Sequence, residues 1–118
     1  MDSMLAASEY THATTSIDTT EGRKGEWLHT SLGGRFWPLD PRPEDIRISD
    51  IANGLALDCR YGGQGRVTRY YSVAEHTYLG ANYVLRERKD PLVALAFLFH
   101  DVAEAYLNDL PRAVKHAV

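Results

Sequence analysis

The chain has 118 residues, a formal net charge of −3 and a hydrophobic fraction of 44%. This length fits one small domain, and the slight negative charge excludes a general attraction to nucleic-acid polymers or to anionic membrane surfaces. The single cysteine, Cys59, excludes an internal disulfide framework and suits a reducing compartment, so we expect a cytoplasmic protein in which Cys59 is a small buried residue. The longest apolar run, Leu92 to Phe99, is too short to cross a bilayer, so no membrane association is expected.

The amino-terminal region divides by composition. Residues 1–25 are rich in Thr, Ser, Ala and charge and lack a hydrophobic period, which predicts a flexible tail ahead of a domain at residues 26–118. Between Trp27 and Leu39, apolar residues are interrupted by two glycines and ended by prolines. This pattern predicts two short extended segments joined at the glycines.

A brief strand-like alternation at residues 46–48 extends the predicted β region to residues 27–48. Ser49 then offers an N-cap for a helix from about Asp50 to Cys59. Ile51, Leu55 and Cys59 fall on one face of that helix, and the glycine pair at 62–63 predicts its end.

Residues 60–71 contain three arginines and three tyrosines and no acidic residue. One interpretation is a solvated loop with aromatic anchors. The other is a phosphate site, because arginine forks match phosphate oxygens. Under the second interpretation Arg60, Arg66 and Arg69 are candidates to neutralise a phosphate, and Tyr61 is a candidate to stack on a base or sugar.

Ser72 begins the next helix with a capping box that pairs it with Glu75, and the helix is expected to end near Arg86. A period of 3.6 residues defines the inward face of this helix. The residues on that face are Val73, His76 or Thr77, Gly80, Tyr83 and Val84. His76 is therefore predicted to point inward.

Asp90 and the following proline predict the start of a third helix. Every residue from Leu92 to Phe99 is apolar, which predicts a helix buried nearly all round at the centre of a bundle. Asn108 is a predicted helix stop, and Asp109 is a predicted N-cap for a last helix near residues 110–111. The fold class is thus expected to be all-α.

His100 and Asp101, at the end of the apolar run, would be costly to bury without a partner. Imidazole nitrogen and carboxylate oxygen bind manganese, iron, cobalt, nickel and zinc ions, and His76 from a neighbouring helix would be a third ligand. Glu104 lies one helical turn after His100 and could act as general acid or base. Taken singly, each also has an ordinary interpretation. His76 is then a helix histidine with its hydrogen bonds satisfied, His100 and Asp101 are a solvated pair, and Glu104 is an exposed acid.

The combined motifs resemble a known family. Tyr-Ser-Val-Ala-Glu-His at 71–76 is similar to the first-histidine motif of the HD-domain metal-dependent phosphohydrolases, in particular the small 5'-deoxynucleotidase and prophage-type branch. Phe-His-Asp-Val-Ala-Glu-Ala-Tyr-Leu-Asn-Asp-Leu-Pro at 99–111 is similar to that branch's His-Asp motif with its following acid and Asp-Leu-Pro. The resemblance covers residues 35–116.

The resemblance implies an HD-type helical bundle with the short extended segment at residues 27–48. It implies a divalent-metal-dependent enzyme that removes the 5'-phosphate from deoxynucleoside monophosphates by means of a metal-activated water. Carried over by position, the metal ligands are His76, His100 and Asp101, the catalytic and substrate-orienting acids are Glu104 and Asp109, and the pair that contacts phosphate and base is Arg60 and Tyr61. Family members also commonly form homodimers, so we expect one here.

One departure from the family pattern affects the metal site. Members take a last metal-binding aspartate from a later helix, beyond the position at which this sequence ends, Val118. We therefore expect one of three cases. The domain is incomplete at its carboxyl end, or water or a partner chain completes the metal site, or the protein is a degenerate, inactive version. Two other functions stay open: hydrolysis of deoxynucleoside triphosphates, and a non-catalytic nucleotide-binding or oligomerisation module.

Overall fold

A computed structural model describes residues 22–65 and 68–118. Helices predominate in this part of the chain, which confirms the all-α class. The elements in chain order are β1 (Leu28–His29), β2 (Arg35–Phe36), α1 (Ile48–Leu57), α2 (Val73–Arg88), α3 (Pro91–Phe99), α4 (Glu104–Leu107) and α5 (Arg112–Lys115), with 3-10 turns at Pro43–Asp45 and Arg60–Gly63. Within the described ranges, no helix combines the length and apolar character needed to span a bilayer.

The two predicted extended segments form an antiparallel hairpin. Leu28 lies opposite Phe36 in the register of β1 and β2. Gly33 occupies the turn with a φ of +79°, a conformation that a residue without a side chain adopts at little cost. Phe36 and the following Trp37 are buried, and the Phe36 ring stacks on that of Tyr106 in α4 with 3.9 Å between centroids, so the hairpin packs against this helix.

The start of the described chain is held more firmly than its composition predicts. Arg23 forms ion pairs with Asp40 and Asp45, and its guanidinium carbon lies 4.0 Å from the ring centroid of Trp37. Residues 22–25, predicted as part of the tail, therefore pack against the hairpin region. The rest of the predicted tail, residues 1–21, lies outside the described residues.

Ile46 and Arg47 have extended backbones, as the strand-like pattern predicts, but they pair with no strand among the described residues, and helix α1 already begins at Ile48. Ser49 therefore lies inside the helix rather than at its N-cap. The carboxylate of Asp50 accepts hydrogen bonds from the Ser31 hydroxyl at 2.6 Å and from the Leu32 amide at 3.2 Å. An acid in the first helical turn is also favoured by the helix dipole. These hydrogen bonds attach the first turn of the helix to the turn of the hairpin.

The core lies where α1 meets α2 and α4. Ile51 and Leu55 of α1 pack against Val73 of α2. A Cβ placed on Gly54 would lie 2.6 Å from the carbonyl oxygen of Ala105, so the glycine permits α1 and α4 to come close together. The inward face predicted for α1 is confirmed at Ile51 and Leu55, whereas Cys59 lies beyond the end of the helix.

Cys59 follows α1, which ends two residues earlier than predicted, at Leu57. Its backbone pairs with that of Ser72 in an isolated antiparallel bridge. The side chain is half-buried, so the prediction of a fully buried residue is wrong. The bridge brings the two ends of the 60–71 loop together.

Ser72 caps α2, as predicted, by accepting a hydrogen bond from the Glu75 amide at 3.0 Å. The reciprocal half of the capping box does not form, because the Glu75 carboxylate binds Arg69 instead. Val73 and Thr77 of α2 are buried, whereas Tyr83, predicted on the inward face, is 67% exposed.

The predicted central position of α3 is wrong. Of its nine residues only Ala94 is buried, while Leu92 is 78% and Leu95 is 52% exposed. In the described part of the chain α3 packs chiefly on α2, which covers one of its faces. A uniformly apolar sequence indicates that several faces can be buried, but their burial requires neighbouring elements.

Asn108 ends α4 with a φ of 65°, as predicted. Asp109 does not cap the last helix, because Pro111 occupies the N-cap position of α5. The Asp109 carboxylate instead accepts a hydrogen bond from the backbone amide of Tyr61 at 3.0 Å. The segment after α4 is thereby attached to the loop that follows α1.

Candidate metal centre

One side chain from α2 and two from the turn after α3 converge at one point. The Nε2 atom of His100 lies 2.9 Å from Oδ2 of Asp101, and Nε2 of His76 lies 3.6 Å from the same oxygen. One ligand atom from each residue lies within 4.8 Å of the other two. The structure therefore brings together the three residues that the sequence proposed as ligands.

The approach of α2 to α3 sets the separation of the two histidines. A Cβ on Gly80 would overlap the ring of Phe97, so a larger residue at position 80 would force the helices apart. Gly80 lies one turn after His76, and Phe97 lies one turn before His100. The Phe97 ring also contacts His100, with 4.6 Å between ring centroids. The sequence placed Gly80 on the inward face but gave no signal for its partner.

The backbone tightens after α3. The amide of Val102 donates to the carbonyl of Phe99 at 3.1 Å, and that of Glu104 donates to the carbonyl of Asp101 at 3.0 Å. Hydrogen bonds of this i to i+3 type place side chains three residues apart on the same side of the backbone. The turn therefore aligns Glu104 with Asp101.

The donor set fits a divalent cation. Two ligands about 2.1 Å from one tetrahedral ion lie about 3.4 Å from each other, close to the separations between Asp101 and the two histidines. The Nδ1 atom of His100 lies 2.5 Å from the Phe97 carbonyl oxygen, which can only accept a hydrogen bond. With the proton on Nδ1, the lone pair of Nε2 faces the Asp101 carboxylate. The two electron-rich atoms repel each other unless a cation or a second proton lies between them.

The protonation of His76 also favours a ligand role. Burial, followed by the nearby guanidinium of Arg60, holds the pKa of His76 below its ordinary value. The imidazole is therefore neutral at neutral pH, and only a neutral ring nitrogen can donate its lone pair to a metal.

Arg60 borders the three residues. Its Nη1 atom lies 3.9 Å from Oδ2 of Asp101, and its guanidinium carbon lies 4.8 and 5.9 Å from the ring centroids of Tyr61 and Tyr71. The backbone of Tyr61 is left-handed, with a φ of 59°, and Asp109 binds its amide. A residue other than glycine adopts this conformation at a cost, so the Asp109 hydrogen bond helps to hold the turn that carries Arg60.

Glu104 lies in an acidic and partly buried setting. Its Oε1 atom accepts from the ammonium of Lys115 at 3.1 Å, whereas Oε2 is buried and has no hydrogen-bond partner among the described residues. Burial, with a further contribution from Asp101 and Asp109, raises the pKa of Glu104 above its ordinary value. A carboxylate with a raised pKa and a free oxygen is suited to exchange protons.

The structure does not place every proposed residue in the cluster. Arg69 is bound to Glu75, with distances of 2.6 and 3.0 Å, and is mostly exposed. Arg66 lies outside the described residues. Lys115 is a neighbour of the site that the sequence did not identify. It reaches Glu104 only when α5 folds back toward α4, so no local pattern indicates it.

Comparison with known proteins finds related sequences. No family model matches the chain. An uncharacterized protein of Rhodobacter capsulatus is 41% identical over 99 residues, which cover 80% of this chain and 50% of the relative. The uncharacterized protein YfdR of Escherichia coli is 35% identical over 89 residues, which cover 75% of this chain and 46% of the relative. The chain spans about half the length of the curated relatives it matches.

Proposed function

We propose that this chain belongs to a divalent-metal-dependent phosphohydrolase of the HD type that removes the 5'-phosphate from deoxynucleoside monophosphates. The observation that carries the proposal is the convergence of His76, His100 and Asp101 beside the guanidinium of Arg60. The three ligands can hold a cation and the arginine fork can bind phosphate oxygens, so the two together can bind one phosphoryl group.

The first role is metal binding. His76, His100 and Asp101 would hold the ion, which is manganese, cobalt, iron, nickel or zinc by its donor set. When bound, such an ion lowers the pKa of a coordinated water and withdraws charge from phosphorus. The backbone carbonyl of Phe97 orients the His100 ring and so fixes the direction in which this ligand points.

The second role is substrate binding. Arg60 neutralises the phosphate, and its contacts with the rings of Tyr61 and Tyr71 limit its freedom before the substrate arrives. Tyr61 is 49% exposed, which leaves ring surface for a base or sugar. Asp109 orients this pair through the Tyr61 amide.

The third role is proton transfer. Glu104 accepts a proton from the attacking water and returns one to the leaving oxygen, because its free Oε2 has no competing donor among the described residues. Burial is the main cause of the raised pKa of Glu104. A raised pKa lies closer to neutral pH, at which the carboxyl group must both take up and release a proton.

The proposal extends to the assembly. The exposed apolar residues Leu92 and Leu95 on α3 support a homodimer, because surfaces of this kind commonly mark protein contacts. The remaining metal positions would be filled by water, by a partner chain or by further sequence of the kind that makes the relatives about twice as long. The single cysteine suits a cytoplasmic enzyme.

The direct test is a phosphate-release assay with manganese or cobalt against a panel of nucleotides. Deoxynucleoside monophosphates should be hydrolysed, and His100→Ala should abolish turnover while His116→Ala, an exposed histidine of α5's end, should retain it. Release of triphosphate from deoxynucleoside triphosphates would favour the alternative substrate. Nucleotide binding without turnover, with bound metal verified, would contradict the enzyme and favour a non-catalytic module.

A further inference from the structure

Lys115 connects the last described helix to the candidate acid. Its Nζ atom lies 3.1 Å from Oε1 of Glu104 and 3.9 Å from Oδ1 of Asp109. The two acid side chains are only 13% and 16% exposed, whereas the lysine is 45% exposed. The lysine thus approaches two largely covered carboxylates from the solvent side.

This contact makes the two oxygens of Glu104 different. Rotation about the terminal bond of a glutamate is broad, so a free carboxylate exchanges its oxygens readily. In the structure Oε1 is bound by the ammonium, while Oε2 is buried and unpartnered among the described residues. The lysine therefore determines which oxygen remains available.

The same ammonium compensates the local charge. Asp101 and Asp109 lie close enough to Glu104 to help raise its pKa, because like charges nearby disfavour the charged carboxylate. The hydrogen bond to Glu104, with the nearby carboxylates, raises the pKa of Lys115 above its ordinary value. The lysine is therefore fully charged throughout the physiological range.

We propose that Lys115 is a positioning residue for the reaction: its ammonium holds Oε1 of Glu104 so that Oε2 stays free to exchange a proton with the reacting water. The inference rests on the proposed function of Glu104. Lys115 touches the acid rather than the reacting atoms, so its loss should change the rate of the chemical step more than it changes substrate or metal affinity.

The kinetic test compares Lys115→Met, Lys115→Arg and Arg112→Met in the full chain loaded with manganese. Arg112→Met removes the same charge from an exposed residue of the same helix. Lys115→Met should lower kcat about three- to tenfold, in line with the loss of one charge-assisted hydrogen bond, with KM and manganese affinity changed less than about twofold. Lys115→Arg should recover most of the rate, and Arg112→Met should leave it unchanged. An unchanged kcat in Lys115→Met, or an equal loss in Arg112→Met, would overturn the proposal.

A second measurement needs no turnover. The sequence contains three lysines, Lys24, Lys89 and Lys115, so their side-chain ammonium signals can be assigned by nitrogen-15 NMR. Glu104→Gln should shift the Lys115 ammonium signal and leave that of Lys89 in place. An unmoved Lys115 signal would contradict the pairing. If no nucleotide is hydrolysed by the unmodified chain, the proposed function fails, and the spectrum still decides whether Lys115 holds Glu104.

Discussion

Asp50 and Glu104 are both covered acids, but their surroundings differ. Asp50 is 5% exposed and receives hydrogen bonds from Ser31 and Leu32, and the Ser31 bond is the largest factor that holds its pKa below the ordinary value. Glu104 has other acids nearby and one lysine, and burial raises its pKa. An acid that accepts hydrogen bonds in its charged form stabilises the fold, whereas an acid with other acids nearby is suited to carry a proton and contributes less to stability.

The same contrast separates two regions of the molecule. Around the hairpin and the start of α1, Asp50 attaches a helix to a turn. Around the turn after α3, Asp101 lies near two histidines and an arginine. Changes in the first region should alter stability, and changes in the second should alter metal binding.

The largest expected effect is the loss of metal-induced stabilisation in Asp101→Ala. Manganese at one hundred times its dissociation constant should stabilise the unmodified chain by about 2.7 kcal/mol, and the variant should show almost none of this gain. Without metal the variant should unfold at nearly the same temperature, because removal of a like charge near Glu104 offsets the loss of the contact with Arg60. Thermal denaturation with and without manganese measures both. A clear loss of metal-free stability would mean that Asp101 is chiefly structural.

Gly80→Ala should lower both the stability of the fold and the binding of metal. The added methyl group meets the Phe97 ring, so the free energy of unfolding should fall by about 1–3 kcal/mol as the helices separate. Separation also draws His76 away from His100, so the manganese-induced gain should shrink. Gly54→Ala is the matched control: it should lower stability through Ala105 yet retain the manganese effect. Equal manganese effects in the two variants would show that the α2 to α3 distance does not set the site.

Asp50→Ala should destabilise without affecting metal. The change leaves the Ser31 hydroxyl and Leu32 amide without their acceptor, which should cost about 1–3 kcal/mol in urea denaturation. The manganese-induced gain should match that of the unmodified chain. A Ser31→Ala variant, which removes one donor and keeps the carboxylate, should lose less. No loss of stability in Asp50→Ala would remove the structural role assigned to this acid.

A smaller effect concerns pH. Because the folded-state pKa of Asp50 is lowered, the carboxylate stabilises the fold at pH values above its ordinary value of 3.8, and this contribution is lost as the pH falls through the folded-state value. The stability difference between the unmodified chain and Asp50→Asn should therefore be constant from about pH 5 to 7 and shrink below about pH 4. A difference that stays constant down to pH 2 would contradict the assigned shift.

The parts of the site that could be predicted are those marked by patterns of neighbouring residues in the sequence. His76 follows a capped helix start by four residues, and the pair His100 and Asp101 ends an apolar run. These local features were sufficient to propose the three ligands that the structure brings together. The Ser72 cap and the hairpin were predictable for the same reason.

Other features depend on how distant segments fold together. Asp109 was predicted as a helix cap, yet its carboxylate binds Tyr61, which lies 48 positions earlier in the chain. The exposure of α3 depends on the absence of a covering element in the described ranges, and apolar sequence alone does not reveal that. Lys115 has no local signal at all, since its contact with Glu104 exists only when α5 folds back toward α4.

Calorimetric titration of manganese into the metal-free chain tests the metal site most directly. The unmodified chain should bind one ion per chain, and His100→Ala and Asp101→Ala should each weaken binding at least about 100-fold, because each removes one of three protein ligands. His116→Ala should bind as the unmodified chain does. Absence of saturable binding in the unmodified chain, or undiminished binding in the Asp101 variant, would contradict the assignment of these residues as a metal site.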